Sequence, residues 1–112
     1  MSGWWVVVDA RTHEEREASA DKRGHQIASW ETGLSGVDFL TRGLVKGGKA
    51  AQYTFGGYPN RFTVAAGDLV PFIIDGPPKP EGGWIANVTI NREKLAELPP
   101  EQVLTVEVWD IT

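Results

Sequence analysis

The chain has 112 residues, a length that suits one domain, and its 41% hydrophobic and 23% charged content marks a globular rather than a disordered protein. It contains no cysteine, which removes disulfides, thiolate metal sites, iron–sulfur clusters and a cysteine nucleophile together. Fifteen acids against eleven bases give a net charge of −4, which argues against direct nucleic-acid binding.

Trp4 to Asp9 (WWVVVD) is bulky and β-branched, and predicts a central strand buried on both faces. Ala10 to Gly24 is polar and dense in charge, and predicts an exposed loop that opens more readily than the strands. Gln26 to Trp30 reads as a short strand or as the approach to the helix that follows. That main helix is predicted over Gly36 to Lys46, because Leu34, Val37, Leu40 and Leu44 recur at steps of three, three and four. Ser35 is its expected cap, with Asp38 completing a box, and Gly47-Gly48 its stop. Gly43, inside the helix, predicts a close backbone contact with the sheet.

Gln52 to Phe55 and Arg61 to Val64 predict a hairpin around Gly56 to Asn60. Ala65 to Ile74 fits a short helix better than an edge strand, with Asp68 as N-cap so that Pro71 falls in the first turn. Asp75 to Gly83 (DGPPKPEGG) is a proline- and glycine-rich loop. Trp84 to Ile90 and Val103 to Ile111 read as strands, joined through a short helix at Asn91 to Leu98. Alternation in the last strand puts Leu104, Val106 and Val108 on one side and Val103, Thr105, Glu107 and Trp109 on the other, expected to be the wetter.

No catalytic constellation emerges. His13 and His25 are the only histidines, and His13-Glu14-Glu15 lacks a second histidine at helical spacing. Gly33-Leu34-Ser35-Gly36 lacks the spacing of a nucleophile elbow, and Gly47-Gly48-Lys49 follows a helix where a phosphate loop precedes one. The reading therefore assigns no catalytic residue, no metal ligand and no cofactor. Trp4 and Trp5 must face opposite sides of their strand, and Trp109, beside Glu107, is the tryptophan expected to be partly exposed.

Recognition points elsewhere. Gly56 to Arg61 combines turn formers with tyrosine and arginine, residue types that dominate interface hot spots, so Tyr58, Asn60 and Arg61 are candidate partner-binding residues. The structural alternative is Tyr58 folded over the sheet and Arg61 paired to an acid. Residues 39–80 carry five bases and two acids, whereas residues 1–38 carry seven acids and four bases. Within that acidic start, Asp9, Glu14, Glu15 and Glu17 are the residues expected to steer a basic partner. The runs SGVDFL and GGYPNRFT, joined by a glycine–lysine helix stop, resemble small bacterial immunity proteins of polymorphic toxin systems over residues 33–74. The resemblance implies an inhibitor that occludes a toxin, and it assigns roles to no particular residue.

The sequence thus predicts a single α+β domain over residues 1–112, with a mostly antiparallel sheet of about four to five strands packed by one main helix. Its expected role is a non-enzymatic, immunity-type inhibitor of a protein partner such as a basic toxin or nuclease. Two alternatives stand beside it: a small-ligand or enzymatic pocket near Tyr58 and Arg61, and a phage-type inhibitor of a bacterial nucleic-acid machine. No apolar run reaches the roughly 18 to 20 residues a membrane helix needs, and no basic segment precedes Trp4 to Val8, so the expectation is a cytoplasmic protein without membrane contact.

Overall fold

A computed structural model of the protein describes residues 2–18, 26–78 and 83–111. Six strands form one sheet: β1 (Gly3–Asp9), β2 (Gln26–Gly33), β3 (Ala50–Thr54), β4 (Asn60–Ala65), β5 (Ile85–Ile90) and β6 (Val103–Asp110). Their spatial order is β3-β4-β6-β1-β2-β5, and every neighbouring pair is antiparallel. Gln26 to Gly33 is a full strand between β1 and β5, which raises the count above the four to five expected. The apolar β1 run is central and buried on both faces, as its composition requires, with Val6, Val7 and Val8 almost fully enclosed.

One face of the sheet carries the core. Register aligns Val6 and Val8 with Trp30 and Ala28 on one side and with Val108 and Val106 on the other, and Phe62 and Val64 extend the layer across β4. Among the described residues three short helical segments cover it, not one main helix: Val37, Leu40 and Leu44 come from the first, Leu69 and Ile73 from α2 (Ala66–Ile73), and Leu95 from α3 (Arg92–Glu97). A further short helix, α1 (His13–Ala18), lies in the segment read as an exposed loop. Its successors through residue 25, His25 included, and residues 79–82 of the proline-rich loop lie outside the described residues.

The first covering segment departs from the predicted α-helix. Leu34–Val37 forms a 3₁₀ turn and Phe39–Val45 a wide π-helix, ending where the Lys49 amide donates to the Leu44 carbonyl at 2.8 Å, five residues back. Thr41 Oγ1 donates to the Val37 carbonyl at 3.3 Å, a back-bond that bends helices. Ser35 caps nothing, because Gly33 occupies the cap position without a side chain to offer. Leu34 starts the apolar stripe in sequence yet stands in solvent, since the tighter 3₁₀ turn rotates it off the buried side. Gly48 makes the expected left-handed stop at φ 77°.

Two glycines exchange the roles the sequence suggested. Gly43 faces outward, where an added Cβ would find only the Asp38 carbonyl at 3.9 Å, so the predicted contact with the sheet is absent. Gly36 makes the close contact instead, and a Cβ there would fall 1.8 Å from Thr32 Oγ1. In α2 the cap is Ala65, which leaves Asp68 in the first turn and moves Pro71 inside the helix. Gly43→Ala is expected to hold or raise stability by up to about 1 kcal/mol, whereas Gly36→Ala should lower it by about 1–3 kcal/mol through overpacking. Thermal melts of the two variants check both directions.

Candidate partner-binding site

The middle of the second face of the sheet, formed by Val7, Asp9, Thr105 and Glu107, is as enclosed as the core, although this face was expected to be the wetter, and Trp5 at its edge is exposed. A carboxylate buried in that setting needs a fixed cation and hydrogen-bond donors. The antiparallel register supplies them by placing Arg61 of β4 directly opposite Glu107 of β6. Arg61 Nε and Nη2 donate to Glu107 Oε2 at 3.0 and 2.8 Å, a two-pronged contact that only a guanidinium can make. Arg61 Nη1 donates to Glu17 of α1 and lies 3.5 Å from His13 Nδ1. Burial works against the Arg61 charge, but hydrogen bonds to Glu107 and Glu17 and their negative charges outweigh it, so its pKa sits above the usual guanidinium value.

A second pair repeats this logic at the end of β1. Arg11 donates from its backbone amide and Nε to Asp9 Oδ1, each at 2.9 Å, and from Nη2 to Asp9 Oδ2 at 2.8 Å. Both residues are buried, so Arg11 is no part of an open loop and Asp9 presents no charge to a steered partner.

Just beyond, Thr12 and Glu15 form a reciprocal capping box: the Glu15 amide donates to Thr12 Oγ1 at 3.2 Å and the Thr12 amide to Glu15 Oε1 at 3.0 Å. The Thr12-His13-Glu14-Glu15 pattern is the signal that places α1, and reading the charges as solvated hid it. Glu15 is thereby a capping residue, and Glu17 is an ion-pair partner of Arg61. Glu14 remains exposed on the helix surface.

The helix docks beside the hairpin. The His13 ring stacks on Tyr53 of β3 with centroids 4.8 Å apart and planes at 18°. Asn60 shapes the turn, its Oδ1 accepting from the Gly57 amide at 3.1 Å, with Gly56 and Gly57 at φ 95° and 87°. Tyr58 does not fold over the sheet: it is 73% exposed, and Phe55 at the other side of the same turn is 74% exposed. The structure therefore separates the proposed trio. Tyr58 projects outward, Asn60 holds the turn and Arg61 points inward to carboxylates. Phe55 is the residue that sequence reasoning missed, because it was counted as the last strand position. Trp5 is also exposed at its rim, and its ring lies 6.4 Å from that of half-buried Trp109.

Two grooves lie beside α2, one of about 310 Å³ lined by apolar residues such as Val70 and Leu95 and one of about 490 Å³ that adds Lys49 and Asp68 to Leu44 and Phe72, and neither includes Tyr58 or Arg61. Among the described residues no three His, Asp or Glu side chains are grouped to hold a metal ion, and no helix is long and apolar enough to cross a membrane. Comparison with protein-family models, with curated proteins and with solved structures found no match. Removing one member of the buried pair should be severe: Arg61→Met is expected to destabilise the fold by about 3–5 kcal/mol. The double variant Arg61→Met with Glu107→Leu should recover most of that loss, as urea denaturation of the three proteins will show.

Proposed function

We propose that the protein is a non-enzymatic binding protein of the immunity type, which occludes a basic protein partner. The observation that carries this reading is the tip of the β3–β4 hairpin, where Phe55 and Tyr58 are each about three-quarters exposed on a turn whose backbone is fixed by Asn60. Large aromatic side chains on a fixed turn lose little conformational freedom on binding and fill pockets of a partner. Acidic α1 stands next to this tip through the His13–Tyr53 stack and the Glu17–Arg61 pair, so attraction and anchoring share one side of the molecule. The commitment of Arg61 to Glu107 and Glu17 supports this reading over a ligand pocket built on Arg61, since its donors already face carboxylates.

The roles of steering and anchoring separate in kinetics. Against a partner captured with the purified chain, Phe55→Ala and Tyr58→Ala are each expected to cost about 2 kcal/mol of binding, expressed as faster dissociation with unchanged melts. Glu14→Gln should slow association and flatten its salt dependence while leaving dissociation alone. Glu15 and Glu17 are poor probes of steering, because their loss also unfastens α1. Unaltered dissociation in both aromatic variants would remove the hairpin from the interface.

A further inference from the structure

The hairpin tip is one part of a longer row. Backbone hydrogen bonds join the segments at this end of the sheet: the Asp110 amide donates to Gly57 O at 2.8 Å, Ile111 to Gly3 O at 3.2 Å and Gly33 to Trp84 O at 3.1 Å. Gly3 and Gly33 face each other in register, and Trp4 Nε1 donates to the Leu34 carbonyl at 3.2 Å. The Trp84 ring lies over the two glycines, where a Cβ on Gly3 would come within 2.7 Å of it. Phe55, Tyr58, Ile111, Trp4, Leu34 and Trp84 are thereby brought to one end of the molecule. From β4 across β6, β1 and β2 to β5 the row spans four interstrand steps, roughly 20 Å at the usual strand separation.

Leu34 is 59% exposed here, in line with the hairpin aromatics. A single exposed leucine carries no information, but a continuous apolar row framed by polar groups marks an interaction surface. Its border leans acidic. Residues 2–5, 31–38, 55–60, 83–86 and 109–111, which meet at this end, contain Glu31, Asp38 and Asp110 and no lysine or arginine, and the one base paired to them from the next turn is Arg42, 3.9 Å from Asp38 among the described residues. An apolar centre with an acidic border complements a partner with an apolar patch inside a lysine- or arginine-bearing rim, and it disfavours a second copy of the same acid-bordered face.

We propose that the binding surface extends from the hairpin across this whole end of the sheet to Leu34 and Trp84, and that its occupant is a basic protein. The proposal rests on the binding reading above and assigns it a footprint. It is tested by incorporating the photo-cross-linker benzoylphenylalanine at position 34, at position 58, or at position 103, which is exposed on the opposite end of β6, and irradiating the protein in a lysate of its cell of origin at low and at high salt. The expected result is one and the same lysine- and arginine-rich protein cross-linked from positions 34 and 58, lost at high salt, with no product from 103. A cross-link from 58 without one from 34 overturns the extended footprint and leaves the hairpin reading standing. Products containing two copies of this chain, or an acidic partner, overturn the assigned occupant. Absence of product from both 34 and 58 overturns the footprint and the binding reading together.

Discussion

Glu107 sits in the middle of a six-stranded sheet with 1% of its surface exposed, and Arg61 stands opposite it on the next strand to compensate its charge. Such a pair adds little net stability over apolar residues of the same volume, yet losing either member strips the other buried charge of its two-pronged contact. The constraint propagates outward. The guanidinium has donors left after meeting Glu107, and the nearest acceptors, Glu17 and His13, belong to a helix too short to be stable unaided. The same arginine therefore satisfies a buried acid and fixes α1 against the hairpin.

This arrangement gives the sheet two faces of opposite character, each enclosed at its middle. The apolar face is closed by the π-helix, α2 and α3 through Leu40, Leu44, Leu69, Ile73 and Leu95. The other is a charged layer in which Asp9 with Arg11 and Glu107 with Arg61 neutralise one another. With the middle of both faces enclosed, the proposed binding surface falls on the exposed large apolar side chains at one end of the strands. There the chain places aromatic residues on a fixed turn and leaves lysine and arginine out of the adjoining segments.

Much of the first face was legible in the sequence. Val6 and Val8, the alternation of Leu104, Val106 and Val108, and the glycine-centred hairpin each state their own structure through local periodicity or turn chemistry. The second face was not, for a physical reason. A polar residue in a strand pattern normally points to water, and nothing local to Glu107 announces an arginine 46 positions away that can replace water. The same nonlocal pairing engages Glu17, which the sequence offered only as a steering charge, whereas the pairing of Asp9 with Arg11 is local. The capping box of Thr12 and Glu15 was local and readable. Tyr58 was correctly singled out as a turn residue with an aromatic ring, whereas Arg61, chosen for the same surface, follows strand alternation inward. Gly36 and Gly43 show the limit of reading glycine by position, because the change from 3₁₀ to π winding decides which one meets the sheet.

The central claim is that Arg61 fixes α1 to the sheet independently of the core. Hydrogen exchange of Arg61→Lys tests it most directly, since lysine keeps a cation beside Glu107 but cannot span Glu107 and Glu17 together. The account predicts faster exchange of the α1 amides, with those of β1 and β6 still protected. Equal protection of α1 in the wild-type and variant proteins would contradict it.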